Sequence, residues 1–271
     1  MNTLAGLGKK SRAKLAKLLR DTKGTISVGQ AAESLSLPPK NAAKTLAWWA
    51  MQGWLSRVRR GLYIPVSLEA RTGDVALEDQ LIVAERLFAP CYIGGWSAAE
   101  QWGLTEQIFR SILVMTTKKP RNRKSVIKGT TFVLRTILSE SLFGTKPIWR
   151  GRVKVNVSDP SRTVLDLMDD PTLGGGLRPS VDVLQSYLGS EMKDLKLLVS
   201  YAERLGSGAA FKRLGFLLER FAPSELETIE ACRTRITKGN SKLDSSLPAD
   251  RLVTRWRLWV PEGWAKERKN D

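Results

Sequence analysis

At 271 residues, with 42% hydrophobic and 26% charged side chains, the chain has the make-up of a soluble globular protein and the length of about two domains. It carries no histidine and two cysteines, which excludes Ser-His-Asp and Cys-His catalysis, histidine acid–base chemistry and histidine-containing zinc sites, and argues against a disulfide framework or soft-metal centre. The formal net charge of +17 implies a polyanionic partner, whether DNA, RNA or an anionic membrane surface.

Residues 11–65 carry a four-part pattern. Ser11–Asp21 (SRAKLAKLLRD) places Leu15, Leu18 and Leu19 on one face at helical spacing. After Gly24, Ser27 caps a short helix, VGQAAESL, whose small residues Ala31 and Ala32 allow close packing. A tight turn, Ser36–Pro38, leads into a third helix with Pro39 in its first turn, where a missing N–H costs nothing, and that helix stops at Gly53. WLSRVRRGLYIP (54–65) then gives two short alternating runs around Arg59, Arg60 and Gly61, as in a β-hairpin wing.

At about 100° per residue, Ala42, Ala43, Leu46, Trp49 and Ala50 of the third helix share one face, and Lys40, Asn41, Lys44 and Trp48 project opposite. A recognition helix has this division: an apolar side on its own core and long donors toward the major groove. Lysine reaches phosphate or guanine, and asparagine can bond the adenine edge. Arg57, Arg59 and Arg60 would lie against the backbone or minor groove. Trp48 either joins this face or packs on the following domain. Residues 1–70 hold twelve Lys/Arg against three acids, about half the net charge in a quarter of the chain. The competing reading of these cations is an ordinary solvated surface; the helix-turn-helix pattern favours duplex DNA.

Residues 66–76 read as a linker, and Asp74 opens an amphipathic stretch, ALEDQLIVAERLF, that ends before Pro90. An apolar run, CYIGG, precedes a helix SAAEQWGL capped by Ser97. Two strand-like runs, 108–117 and 130–137, flank a basic hairpin tip holding Lys118, Lys119, Arg121, Arg123, Lys124 and Lys128. That tip is either a second contact for nucleic acid or an acidic partner, or a solvated loop. Strands continue to Val157. A helix then begins at SDPSRTVLDLMDD with Ser158 as cap, and after the LGGGLRP break helices are expected at 180–189, 194–205, 208–221 and 224–237. The tail, RLVTRWRLWVPEGW, alternates as in a strand. The fold class is therefore α+β. A winged helix-turn-helix over 1–66 precedes a mixed domain over 74–271, with a small sheet and a helical C-terminal portion.

Several motifs fail on inspection. GLGKKS (6–11) has Thr3 where a phosphate loop has its first glycine, and GSGAAFKR (206–213) has Phe211 where a dinucleotide fingerprint has its third. Asp159, Asp166, Asp169 and Asp170 could hold Mg²⁺ in principle, but their helical spacing favours capping and solvation. Glu191-Met192-Lys193 lacks the strand context of a nuclease step. Phe211, Leu214, Phe216, Leu217, Leu218 and Phe221 read as core. Cys91 and Cys232 lie in apolar sequence and read as buried free thiols in a reducing, cytoplasmic setting. No run approaches the roughly 18 apolar residues of a membrane span, and the first ten residues lack the apolar core of a secretion signal.

The winged-helix pattern running into RRGLYIP (59–65), then YIGGWSAAEQWGLTEQ (92–107), SDPSRTVLDLMDDP (158–171) and GSGAAFKRLGFLLE (206–219), resembles the AbiE-type antitoxins, the transcriptional-regulator half of abortive-infection toxin–antitoxin operons. The resemblance implies an N-terminal domain that binds inverted repeats in its own promoter and represses the operon. It implies a C-terminal domain that counteracts a nucleotidyltransferase-like toxin, with no enzymatic activity, cofactor or metal. The DNA-binding role carries over to Lys40, Asn41, Lys44, Thr45, Arg57, Arg59 and Arg60. Two other readings stay open: a winged helix used to dock the toxin without specific DNA binding, and an enzyme using Asp159, Asp166 or Glu191.

Overall fold

Leu15 and Leu18, three residues apart on α1 (Lys9–Asp21), are both buried, whereas Leu19 is 37% exposed at the margin of the stripe. The expected three-leucine face is thus a two-leucine face. The computed structural model describes residues 8–22, 25–66, 79–127, 129–150 and 153–265. In chain order α1 is followed by β1 (Ile26–Ser27), α2 (Val28–Leu35), α3 (Pro39–Met51), β2 (Leu55–Arg59) and β3 (Leu62–Pro65). The three strands form a sheet in the order β1-β3-β2, both pairings antiparallel. Three helices closed by this small sheet make a winged helix. Leu15, Leu18, Ile26, Ala31, Ala42, Leu46, Trp49, Leu55 and Tyr63 form its core.

β3 serves two cores at once. Tyr63 points into the winged helix, while its neighbours Leu62 and Ile64 pack with Val83, Ala84 and Leu87 of α4 (Gln80–Phe88). This is the period-two alternation of a strand with both faces covered. The expected linker falls almost wholly on 67–78, outside the described residues, as does the start of the amphipathic stretch at Asp74. Asp79 caps α4, accepting from the amides of Leu81 and Ile82.

A six-stranded sheet follows, built from β4 (Cys91–Ile93), β5 (Ser111–Thr116), β6 (Lys124–Ile127), β7 (Thr130–Thr136), β8 (Thr145–Arg150) and β9 (Val153–Ser158) in the order β6-β7-β5-β4-β9-β8. Its strands alternate. Ile112, Val114, Phe132, Leu134 and the valines of β9 face α4 and the wing, whereas Tyr92, Leu113 and Met115 face the helical layer. The two runs expected to form a hairpin, β5 and β7, pair in parallel. The basic segment between them crosses to β6, which pairs antiparallel with β7 at the edge. Helix α5 (Gly95–Gln101) starts two residues before the expected cap. Ser97 lies inside it, and its hydroxyl accepts from the Leu113 amide at 2.9 Å.

The helical layer comprises α6 (Pro160–Asp169), α7 (Leu177–Leu188), α8 (Leu195–Leu205), α9 (Gly208–Phe221) and α10 (Leu226–Thr234). Asp159, rather than Ser158, caps α6. Its carboxylate accepts from the Arg162 amide at 2.8 Å, and Ser158 is the last residue of β9. Residues 160–168 are all buried, so α6 is a central helix enclosed on every side. The expected core stripe of α9 is buried except for Phe221, which is half-buried against the same cluster.

The tail is a hairpin instead of one strand. β10 (Ser241–Lys242), β11 (Arg251–Val253) and β12 (Leu258–Val260) form a sheet ordered β10-β12-β11, and a one-turn helix, α11 (Glu262–Ala265), ends the described chain. Between β11 and β12 the chain reverses through Arg257, at φ 48°. Alternation at 251–259 thus concealed a turn. Lys212 and Arg213 of α9 hold this region in place. Lys212 Nζ donates to Thr237 Oγ1 and the Gly239 carbonyl, and Arg213 Nε donates to the carbonyls of Lys242 and Leu243. Trp256, fully buried, lies against Gly215 of α9, where a methyl group would overlap the indole. Gly215→Ala is therefore expected to destabilise the protein by about 3 kcal/mol, the upper part of the overpacking range, with a matching change in tryptophan fluorescence on urea titration.

Candidate nucleic-acid interface

The winged helix is fixed by local chemistry before any ligand is considered. Ser27 and Gln30 form a reciprocal capping box at the start of α2: the Gln30 amide donates to Ser27 Oγ at 3.2 Å, and the Ser27 amide to Gln30 Oε1 at 3.0 Å. Helix α2 ends at Ser36, in the left-handed region at φ 52°, and Pro38 and Pro39 then set the entry to α3. Trp49, buried on the core side of α3, donates from Nε1 to Ser11 Oγ of α1 at 3.2 Å. Ser27→Ala should cost about 1 kcal/mol of stability, measurable by urea unfolding, because it leaves an α2 amide without its acceptor.

The structure brings three of the expected contacts together on one surface of α3. Lys40, Asn41 and Lys44 are exposed on the side opposite Ala42, Leu46 and Trp49. Thr45 is half-exposed, and its hydroxyl donates to the Asn41 carbonyl at 3.0 Å, so its side chain is turned back onto its own helix. Trp48 is 45% exposed, and Met51 is 77% exposed beside it. The sequence reading missed Met51, although its helical spacing from Lys40, Lys44 and Trp48 was the available signal.

Arg57 and Arg59 are exposed on β2, and Arg60 is exposed in the turn before Gly61. Gly61 takes φ +79°, where a side chain is strained, and its carbonyl accepts from the Val28 amide at the start of α2, pinning the wing turn to the helices. The register of the hairpin slips between Arg57 and Arg59, leaving Val58 as the bulged residue, packed against the α4 cluster. No acidic residue occurs between Ser34 and Leu68. Among the described residues none of Lys40, Lys44, Arg57, Arg59 and Arg60 has a carboxylate partner. A surface of unpaired cations on a rigid helix and wing is suited to bind a phosphate backbone.

Residues 13–66 match the family model described as transcriptional regulator, AbiEi antitoxin. The winged helix is therefore similar to the segment that this family model describes. The match covers α2, α3 and the wing and ends before α4, so the likeness read further along, at 92–107, 158–171 and 206–219, lies beyond it. No curated protein matches the chain.

Lys118, Lys119, Arg121, Arg123 and Lys124 are exposed on the crossover to β6, and Lys128 lies outside the described residues. The four aspartates considered for Mg²⁺ serve separately. Asp159 caps α6, Asp169 accepts from Ser207 Oγ at 2.6 Å, and Asp170 pairs with Arg135 at 3.1 Å. Asp166 is buried rather than solvated and pairs with Arg162 at 2.8 Å. Both cysteines are buried free thiols, each pushed up to about 12 first by burial. Among the described residues no helix is long and apolar enough to cross a membrane.

Proposed function

We propose that the chain is a sequence-specific DNA-binding autorepressor and the antitoxin of a toxin–antitoxin operon, acting in the cytoplasm without enzymatic activity. In this reading residues 1–66 bind operator repeats in the chain's own promoter through Lys40, Asn41, Lys44, Thr45, Arg57, Arg59 and Arg60. Residues 74–271 form the regulatory domain that counteracts a nucleotidyltransferase-like toxin. The observation that carries the DNA half is the acid-free helix and wing of a segment similar to AbiEi regulators, with cations on both elements that have no carboxylate partner among the described residues. In this reading α3 supplies donors for base edges, and the wing arginines contact the backbone of the duplex beside the helix.

Fluorescence anisotropy with the DNA upstream of the chain's own reading frame tests this, against a scrambled duplex of equal length. Specific binding that weakens with salt is expected. Equal affinity for both duplexes would remove the repressor reading and leave toxin docking in its place. For the antitoxin half, co-expression with the adjoining open reading frame should restore growth if that frame encodes a nucleotidyltransferase-like toxin. On the wing, Arg59→Ala with Arg60→Ala should weaken binding about tenfold and lower the salt slope by about 2, read by repeating the titration at several salt concentrations.

A further inference from the structure

Trp48 and Met51 are the largest apolar side chains exposed on α3. At about 100° per residue, Lys40, Met51, Lys44, Trp48 and Asn41 fall within an arc of about 100°, centred opposite the buried Ala42, Leu46 and Trp49. The apolar pair therefore lies inside the cationic surface rather than beside it. Helical side chains lean toward the N-terminus, so the indole of Trp48 covers the turn carrying Lys44 and Thr45. Trp48 Nε1 has no hydrogen-bond partner among the described residues, whereas Nε1 of Trp49 is committed to Ser11.

We propose that Trp48, with Met51 at its side, reads thymine methyl groups in the major groove. This rests on the duplex-binding reading of α3. The 5-methyl of thymine is the apolar group that base pairs present on the major-groove edge. An apolar ring one helical turn from Lys44 and about two from Lys40 and Asn41, in a stretch free of acidic residues, has the charge environment of a nucleic-acid contact. A protein partner docking through this pair would also have to cover the unpaired ammonium groups of Lys40 and Lys44.

The test uses the full chain and one promoter-proximal fragment prepared twice by amplification, with dTTP and with dUTP, so that the two differ in the methyl group. The wild-type protein is expected to bind the uracil fragment about tenfold more weakly, near the low end of the penalty for an altered base pair. Trp48→Ala should lose the same factor on the thymine fragment and nothing further on the uracil one, while Trp48→Phe keeps most of the discrimination. Equal wild-type affinity for the two fragments, a comparison that needs no variant, would overturn the proposal while leaving the duplex reading intact. So would a Trp48→Ala loss of equal size on both. Wild-type protein that does not distinguish the thymine fragment from scrambled duplex would remove both readings.

Discussion

Replacing Lys40 and Lys44 together by alanine is expected to lower affinity for the promoter fragment by on the order of a hundredfold, with the fold unchanged. Both ammonium groups are exposed, and neither has a carboxylate partner among the described residues, so their removal leaves no orphaned charge behind. Surface substitutions of this kind stay within about 0.5 kcal/mol in stability, and alanine favours the helix. A lost binding contact, in contrast, costs about 1–3 kcal/mol each. The salt dependence tells what the lysines touch. If both neutralise phosphates, the slope of log K against log salt falls by about 2. If one bonds a guanine edge, the slope falls by about 1 and preference for the specific fragment narrows. Unchanged affinity in the double variant would show that α3 is not the reading helix, whatever the wing contributes.

How far the sequence predicted this surface follows from which properties are local. The faces of α3 depend on helical spacing within thirteen residues, so Lys40, Asn41 and Lys44 were legible as an exposed group before any tertiary contact was known. Ser27 likewise announced the start of α2. Strand pairing is not local. β5 and β7 read as strands whichever direction they run, so the pattern marked both as strands but not that the two are parallel. The cap of α6 was readable and was placed one residue early: Pro160 marks the first helical position, which makes its predecessor Asp159 the cap. Nothing near Lys212 and Arg213 signals their burial, because the carbonyls they bond belong to residues 27–45 positions away. Trp48 could be placed only once the structure gave its exposure.

The largest stability effect is expected at Arg162, in α6. Its guanidinium lies over the rings of Tyr92 and Phe143, at 5.5 and 4.2 Å from their centroids. Nε donates to Asp166 Oδ1 at 2.8 Å, and one terminal nitrogen donates to Tyr92 Oη at 3.0 Å, while that hydroxyl donates to Asp166 Oδ2 at 3.0 Å. Asp166 is only 2% exposed. Arg162→Ala would leave its carboxylate with a single donor inside the helical layer, a loss of about 3–5 kcal/mol. Arg162→Met combined with Asp166→Leu, which removes both charges and keeps the volume filled, should recover most of that. The defect should also depend on pH. Burial holds the Asp166 carboxyl above its ordinary value even with Arg162 and Tyr92 pulling it down, and loss of Arg162 raises it further. An acid whose folded pKa lies above its unfolded one adds stability below the unfolded value and loses it as pH rises through the folded value. The gap between wild type and Arg162→Ala in urea titrations should therefore be widest at neutral pH and narrow on acidification toward the ordinary carboxylate range. A gap of the same size at both ends would mean that lost packing against Tyr92 and Phe143, and not the stranded carboxylate, accounts for the defect.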